Sequence, residues 1–156
     1  MVSHAATPAE HDGRLHEAVA RLLREHGQRL TQHRGVIVDV LADAAGPLTI
    51  PEILASRSGL AQSSVYRNLV VLEEAGVVHR MLTRDEFARY ELAEDLTEHH
   101  HHLVCSNCGR VADLPATQAV ERSVATAIDE AARLAGFQTL HHRLDLVGLC
   151  ANCASS

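Results

Sequence analysis

Four cysteines stand as two Cys-x-x-Cys pairs, Cys105 with Cys108 and Cys150 with Cys153. Two residues between thiols is the spacing that turns both sulfurs onto one ion, and two such pairs complete a tetrahedral S4 shell. Asn107 and Asn152 precede the second cysteine of each pair, and Gly109 follows the first pair; both residue types permit the tight turn that the chemistry needs. The competing readings are a thioredoxin-type redox motif and two unconnected disulfides. Residues 1–13 are polar and lack the apolar core of a signal peptide, so the expected compartment is the cytoplasm, where disulfides are disfavoured and structural Zn2+ is preferred. A tetrathiolate shell is coordinatively closed; it holds structure and does no hydrolysis.

Beside the first pair runs His99-His100-His101-His102, leading straight into Leu103-Val104-Cys105. A tag remnant or a solvated low-complexity stretch would be the bland readings, but the run is short, internal and continuous with an apolar segment. On a strand, alternation sends His99 and His101 to one face and His100 and His102 to the other. Two imidazoles on each face make a poor core and good material for two separate metal sites.

The elements that position these residues follow from apolar spacing. Leu15, Val19, Leu22 and Leu23 repeat at helical period and end near Gly27; Thr31 caps a second helix with Val36, Ile37, Val40 and Leu41. Thr49 caps a short helix with Ile53 and Leu54, Ser58-Gly59 supply a turn, and a helix from Gln62 carries Val65, Leu69 and Leu72 on one face before Ala75-Gly76. A short helix, a Gly turn and a helix with a polar start is helix-turn-helix spacing. Strand-like runs at 77–82 and 87–92 around Thr83-Arg84-Asp85-Glu86 add a hairpin, the sign of a winged helix. Beyond an acidic linker, strands are expected at 99–105, 110–114 and 139–147, with a helix over 116–135 in which Pro115 fits the first turn and Gly136 the stop. The fold class is therefore α+β: a disordered lead over 1–13, a winged helix-turn-helix over 14–92, a hinge linker over 93–98, and a small α/β metal-binding domain over 99–156.

The whole-chain numbers restrict the function classes. The 156 residues carry a net charge of −6, against coating of nucleic acid by bulk electrostatics but not against a local DNA-binding surface. Every basic residue is Arg; a GC-rich coding bias and selection for phosphate contacts compete as explanations, and the scatter of the Arg favours the former. With 3% aromatic content and no Trp, each half must build its core from Ala, Leu and Val, so metal or dimerisation is an expected additional source of stability. No apolar run approaches the roughly 18 residues of a membrane helix. The zinc-hydrolase motif H-E-x-x-H is absent, as is H-x-E paired with P-C-x-x-C, so no enzyme is expected.

Taken together, Gln28-Arg29-Leu30-Thr31-x-x-Arg34, Ser64-Val65-Tyr66-Arg67-Asn68-Leu69, Tyr90-Glu91-Leu92, His99-His100-His101-His102-Leu103-Val104-Cys105-x-x-Cys108-Gly109 and Cys150-x-x-Cys153 resemble the ferric uptake regulator (Fur) family of metal-responsive repressors, whose members sense iron, zinc, manganese, nickel or peroxide. The match runs in family order over nearly the whole chain. The resemblance implies a homodimer, with an N-terminal winged helix and a C-terminal dimerisation domain. It aligns Cys105, Cys108, Cys150 and Cys153 with the structural zinc ligands, and Ser63, Ser64, Tyr66 and Arg67 with the recognition-helix surface. His79, Glu91, His100, His102 and Asp113 align with the hinge sensing site, and His99, His101, Glu121 and His142 with a second, more variable site. For His79, Glu91, Asp113 and Glu121 an ordinary solvated side chain is the competing reading; His4, His11, His16, His26 and His33 are read simply as surface residues.

The chain departs from the family at two places. Zinc-type members carry a Cys shortly before the histidine run, where Ala93 stands; iron-type members often supply a His where Pro47-Leu48 stands. An all His/carboxylate shell accommodates Zn, Fe, Mn or Ni, so the regulatory ion is Zn2+ or Fe2+, zinc slightly ahead. The expected function is metal-dependent repression through a palindromic, A·T-rich DNA operator, with no membrane partner. The alternatives are a peroxide sensor in which Fe2+ oxidises a ligand His, and a zinc/thiol redox switch.

Overall fold

The computed structural model describes residues 8–57, 59–82, 87–97, 99–140 and 142–155, with side chains described from Gly13 onward. It divides into two compact units, residues 1–98 and 99–156. No helix among the described residues is long and apolar enough to cross a membrane.

The first unit is built of α1 (Pro8–Glu25), α2 (Gln32–Ala42), a two-residue β1 (Leu48–Thr49), α3 (Ile50–Ser56), α4 (Gln62–Glu74), β2 (Val78–Leu82) and β3 (Ala88–Leu92), followed by a 3-10 turn at Glu94–Leu96. Thr31 caps α2 by accepting from the Arg34 N–H. Thr49 caps α3 in a capping box: its hydroxyl accepts from the Glu52 N–H while the Glu52 carboxylate accepts from the Thr49 N–H. The same Glu52 oxygen receives the buried Arg89 guanidinium at 3.4 Å, tying α3 to β3. Val65, Leu69 and Leu72 of α4 are buried against a core that includes Leu15, Val19, Leu23, Ile37, Val38, Leu41 and Ile53. Each such side chain contributes about 1.5–3 kcal/mol by leaving water, so this unit has an ordinary aliphatic core despite its lack of aromatics.

Helix α1 starts at Pro8, inside the stretch expected to be a disordered lead; proline lacks the N–H that a first helical turn leaves unsatisfied anyway, so it opens a helix without penalty. The expected hairpin is present as the antiparallel pair of β2 and β3, and β1 adds a third strand in the order β1-β3-β2; a two-residue strand is too short for alternation to reveal. His16 is also no idle surface residue, since its Nε2 lies 2.7 Å from Asp39 Oδ1 and joins α1 to α2. The expected turn residue Ser58 and the hairpin tip at 83–86 lie outside the described residues.

The second unit comprises β4 (His100–Cys105), β5 (Val111–Pro115), α5 (Gln118–Leu134), β6 (Asp145–Gly148) and the single turn α6 (Ala151–Ala154). Its sheet order is β5-β4-β6, with β4 antiparallel to β5 and parallel to β6. Pro115 closes β5 instead of opening the helix, and the cap is Thr117, whose hydroxyl accepts from the Val120 N–H. The last strand is shorter than the 139–147 run suggests. Among its described residues the buried side chains are His101, His102, Cys105 and Val111. That is too little apolar burial to hold a domain of this size without staples.

Candidate metal centres and nucleic-acid interface

The cysteine knuckles face each other at one end of the second sheet. Gly109, at φ +71°, closes the first turn, with its N–H donating to the Cys105 carbonyl. Ser106 donates its backbone N–H and its hydroxyl to the Gly148 carbonyl, fastening the first knuckle to the strand that leads to the second. All four sulfurs lie within 4.8 Å of one another, and Cys108 Sγ is 3.8 Å from Cys150 Sγ. A zinc tetrathiolate with Zn–S of about 2.3 Å has tetrahedron edges of about 3.8 Å, so the spacing fits the ion. The Cys150 N–H points at Cys105 Sγ across 3.4 Å. The Cys105 thiol is held down at about 6 by backbone N–H groups, chiefly that of Cys108, then those of Cys150 and Asn107. The Asn107 side chain acts to lower Cys153 as well, but the bonds it shares with Cys150 and Cys108, together with lost hydration, push it up to about 11. Backbone N–H groups that favour a thiolate at Cys105, beside three further sulfurs, suit a bound cation better than four neutral thiols.

Alternation along β4 separates the histidines as expected. On one face, His99, His101, Glu121 and His142 each offer a donor atom within 4.8 Å of the others. Three Nε2 atoms converge on one carboxylate: His101 at 2.7 Å from Glu121 Oε1, His142 at 3.3 Å and His99 at 3.5 Å from Oε2. The 3.3 and 3.5 Å separations are close to the edges, about 3.3–3.4 Å, of a tetrahedral N/O shell with metal–ligand bonds of about 2.0–2.1 Å, whereas the 2.7 Å contact of His101 is a hydrogen bond. His101 is 1% exposed, and its Nδ1 has no hydrogen-bond partner among the described residues. His142 Nε2, although near Glu121, is not aligned to hydrogen-bond it. A buried imidazole nitrogen left unsatisfied is expensive, and for His142 Nε2, which lies among the clustered donors, a bound cation would remove that cost. His141 lies outside the described residues.

On the opposite face, the donor atoms of His100, His102 and Asp113 lie within 4.8 Å of one another. Asp113 stands directly across the ladder from His102, and the rings of His100 and His102 are edge to face at 5.1 Å. His79 and Glu91 are in the first unit, where they are direct cross-strand partners on β2 and β3 and so share one face of that sheet.

The recognition-helix candidates lie on the first two turns of α4, opposite the buried stripe. Ser63 and Arg67 are exposed and Tyr66 is 55% exposed, large for an aromatic side chain. Ser64 is turned inward: its carbonyl and hydroxyl accept from Asn68 Nδ2 at 2.8 and 3.3 Å. Sequence reasoning missed what holds this turn. Arg34 on α2 donates through Nε to Asn68 Oδ1, through one terminal nitrogen to the Arg29 carbonyl and through the other to Gln28 Oε1, at 3.2, 2.6 and 3.2 Å. Arg34 and Asn68 were visible as motif letters, but no spacing rule links residues this far apart.

A helix-turn-helix followed by a hairpin, joined to a unit whose buried side chains are metal donors apart from Val111, defines a metal-responsive DNA-binding regulator. Residues 25–147 match the ferric uptake regulator family. The chain is 31% identical over 138 residues to the peroxide operon regulator of Bacillus subtilis, covering 85% of this chain and 88% of that one. Its fold is that of the Helicobacter pylori ferric uptake regulator Fur, a structure with three functional metal-binding sites, at TM-score 0.72 and 23% identity, covering 99% of each chain. The Vibrio cholerae Fur structure is similar at TM-score 0.64 and 27% identity, covering 83% of this chain and 98% of that one. The chain belongs to the ferric uptake regulator family, and it is a metal-dependent DNA-binding transcriptional repressor. Members of this family bind DNA as dimers; the donor sets fit Zn2+ as the structural ion and Zn2+ or Fe2+ as the regulatory one.

Proposed function

We propose that the regulatory ion is held by His79 and Glu91 from the winged helix together with His100, His102 and Asp113 from the dimerisation unit, with residues 93–98 as the hinge. The observation that carries this reading is that each unit, taken by itself, presents donors side by side: His79 opposite Glu91, and His100 and His102 beside Asp113. Donors shared between two units restrict their relative orientation, and that restriction selects the arrangement in which two recognition helices enter successive major grooves. The selection is limited to the difference in affinity of the ion for the two arrangements. The Cys105, Cys108, Cys150 and Cys153 site remains structural, and His99, His101, Glu121 and His142 form the second exchangeable site.

The second unit serves as the dimer contact. Helix α5 has no buried residue, and beyond its end Phe137 and Leu140 are 78% and 85% exposed. Leu146, Val147 and Leu149 are exposed as well, an apolar excess that a second copy of the chain covers. A two-fold dimer reads a palindrome; Tyr66 packs on thymine methyls of an A·T-rich operator, Ser63 and Arg67 contact phosphate or base edges, and Ser64, bonded to Asn68, braces the turn that presents them rather than touching DNA. The protein works in the cytoplasm and by binding, without turnover of a substrate.

The test is to replace His100 and His102 together by Ala and titrate Zn2+ or Fe2+ into an operator gel shift. Metal-dependent binding should vanish while tightly bound zinc stays; undiminished metal dependence sinks the hinge-sensor reading. A peroxide-sensing variant is favoured by the similarity to the B. subtilis peroxide operon regulator. It predicts that Fe2+-loaded protein treated with peroxide gains one oxygen on a His100 or His102 peptide in mass spectra.

A further inference from the structure

We propose that Asp145 is a positioning residue for His102, fixing the tautomer that presents Nε2 to the regulatory cation. The inference rests on the assignment of His102 to that site. In the parallel ladder between β4 and β6, His102 is the register partner of Asp145, and the His102 N–H donates to the Leu144 carbonyl at 3.2 Å. Register therefore brings the two side chains to one face, where His102 Nδ1 lies 3.1 Å from Asp145 Oδ1. An ionised carboxylate can only accept, so Nδ1 carries the hydrogen and Nε2 keeps its lone pair. Asp145 is not among the donors clustered around His100, His102 and Asp113, which separates it from the ligands themselves.

The ring it orients is 4% exposed. A buried imidazole turned about or in the other tautomer would aim an N–H at the cation and lose the bond. Carboxylates that hold a ligand histidine in this way raise its basicity and restrict its rotation, and removing them costs about 10–100-fold in metal affinity. The position of Asp145 is itself anchored: β6 runs into the Cys150 knuckle, and Gly148 is bonded by Ser106 of the first knuckle. A zinc ion at the knuckles would thus hold the strand that delivers the orienting carboxylate.

The full-length protein, with its tightly bound zinc retained, is titrated with Co2+ against a chromophoric chelator. A Glu121→Ala background removes the second exchangeable site. Asp145→Ala should weaken Co2+ binding by about 10–100-fold, with the visible d–d bands shifted or weakened. Asp145→Glu, which keeps the carboxylate, should recover most of the loss, and zinc content and thermal unfolding should match the parent. Parent-like affinity in Asp145→Ala overturns the proposal, and so does a loss that Asp145→Glu does not relieve and that comes with released zinc, because the role is then structural. His102→Ala separates the levels. If it abolishes binding where Asp145→Ala does not, the positioning role alone fails; if it too changes nothing, the assignment of the sensing site fails with it.

Discussion

Replacing Arg34 by Met removes a side chain that ties the turn before α2 to the recognition helix. Arg34 makes three hydrogen bonds, to Asn68 Oδ1, the Arg29 carbonyl and Gln28 Oε1. Hydrogen bonds from a charged donor contribute about 1.5–3 kcal/mol each when shielded. Arg34 is only half-buried, and water can reach the acceptors it abandons. Roughly a third to a half of the gross sum survives that exchange, giving a loss of about 2–3 kcal/mol. For a unit of this size the melting temperature should fall by on the order of 10 °C. The functional effect follows from Asn68, which then holds Ser64 alone. A loosened first turn of α4 should cost about tenfold in operator affinity, the equivalent of about 1.4 kcal/mol, at fixed salt. Arg34→Lys keeps the charge but not the planar fork and should recover less than half of the stability. Urea unfolding followed by circular dichroism, with anisotropy titrations on labelled operator, measures both. If Arg34→Met unfolds within about 0.5 kcal/mol of the parent, the ordinary range for a surface substitution, the three-way tie is not holding the helix.

Tyr66→Ala should leave stability within about 0.5 kcal/mol, as for an exposed position, and weaken operator binding by about 1–3 kcal/mol in the same anisotropy assay; unchanged affinity removes Tyr66 from the interface. Glu121→Ala takes away the carboxylate on which three imidazoles converge, so metal analysis after dialysis should show one ion fewer per chain with cysteine-bound zinc retained. Burial, the largest effect, holds the Tyr90 hydroxyl above its ordinary value of 10, with Arg80 opposing. Because the folded state resists ionisation, this contribution is complete below pH 10 and is lost as pH rises through the folded value; Tyr90→Phe should flatten that alkaline decline in stability measured by urea unfolding.

Periodic elements were legible from residue order because the information is local. The stripe Val65, Leu69, Leu72, the caps Thr31 and Thr49, and the alternation of His99 to His102 each depend on neighbours within a turn or a strand. The Cys-x-x-Cys pairs belong to the same class, since two intervening residues determine what one turn can do. What was illegible is long-range or too short to repeat: the two-residue β1, the early start of α1, Pro115 ending a strand, the bonds from Arg34 to the next helix but one, and His16 reaching Asp39.

Residue order alone therefore determined the donor types, their division between two faces of one strand, and the winged-helix segment that makes this chain a regulator. Tertiary structure alone decided which distant groups complete each shell. Glu121 and His142 join His99 and His101 because of where α5 and the segment after it pack, and Asp145 reaches His102 because β6 pairs in parallel with β4 in one particular register. Spacing rules act through covalent geometry over a few bonds, whereas strand register is set by packing and by ladder hydrogen bonds across the whole unit, and only the folded chain contains those.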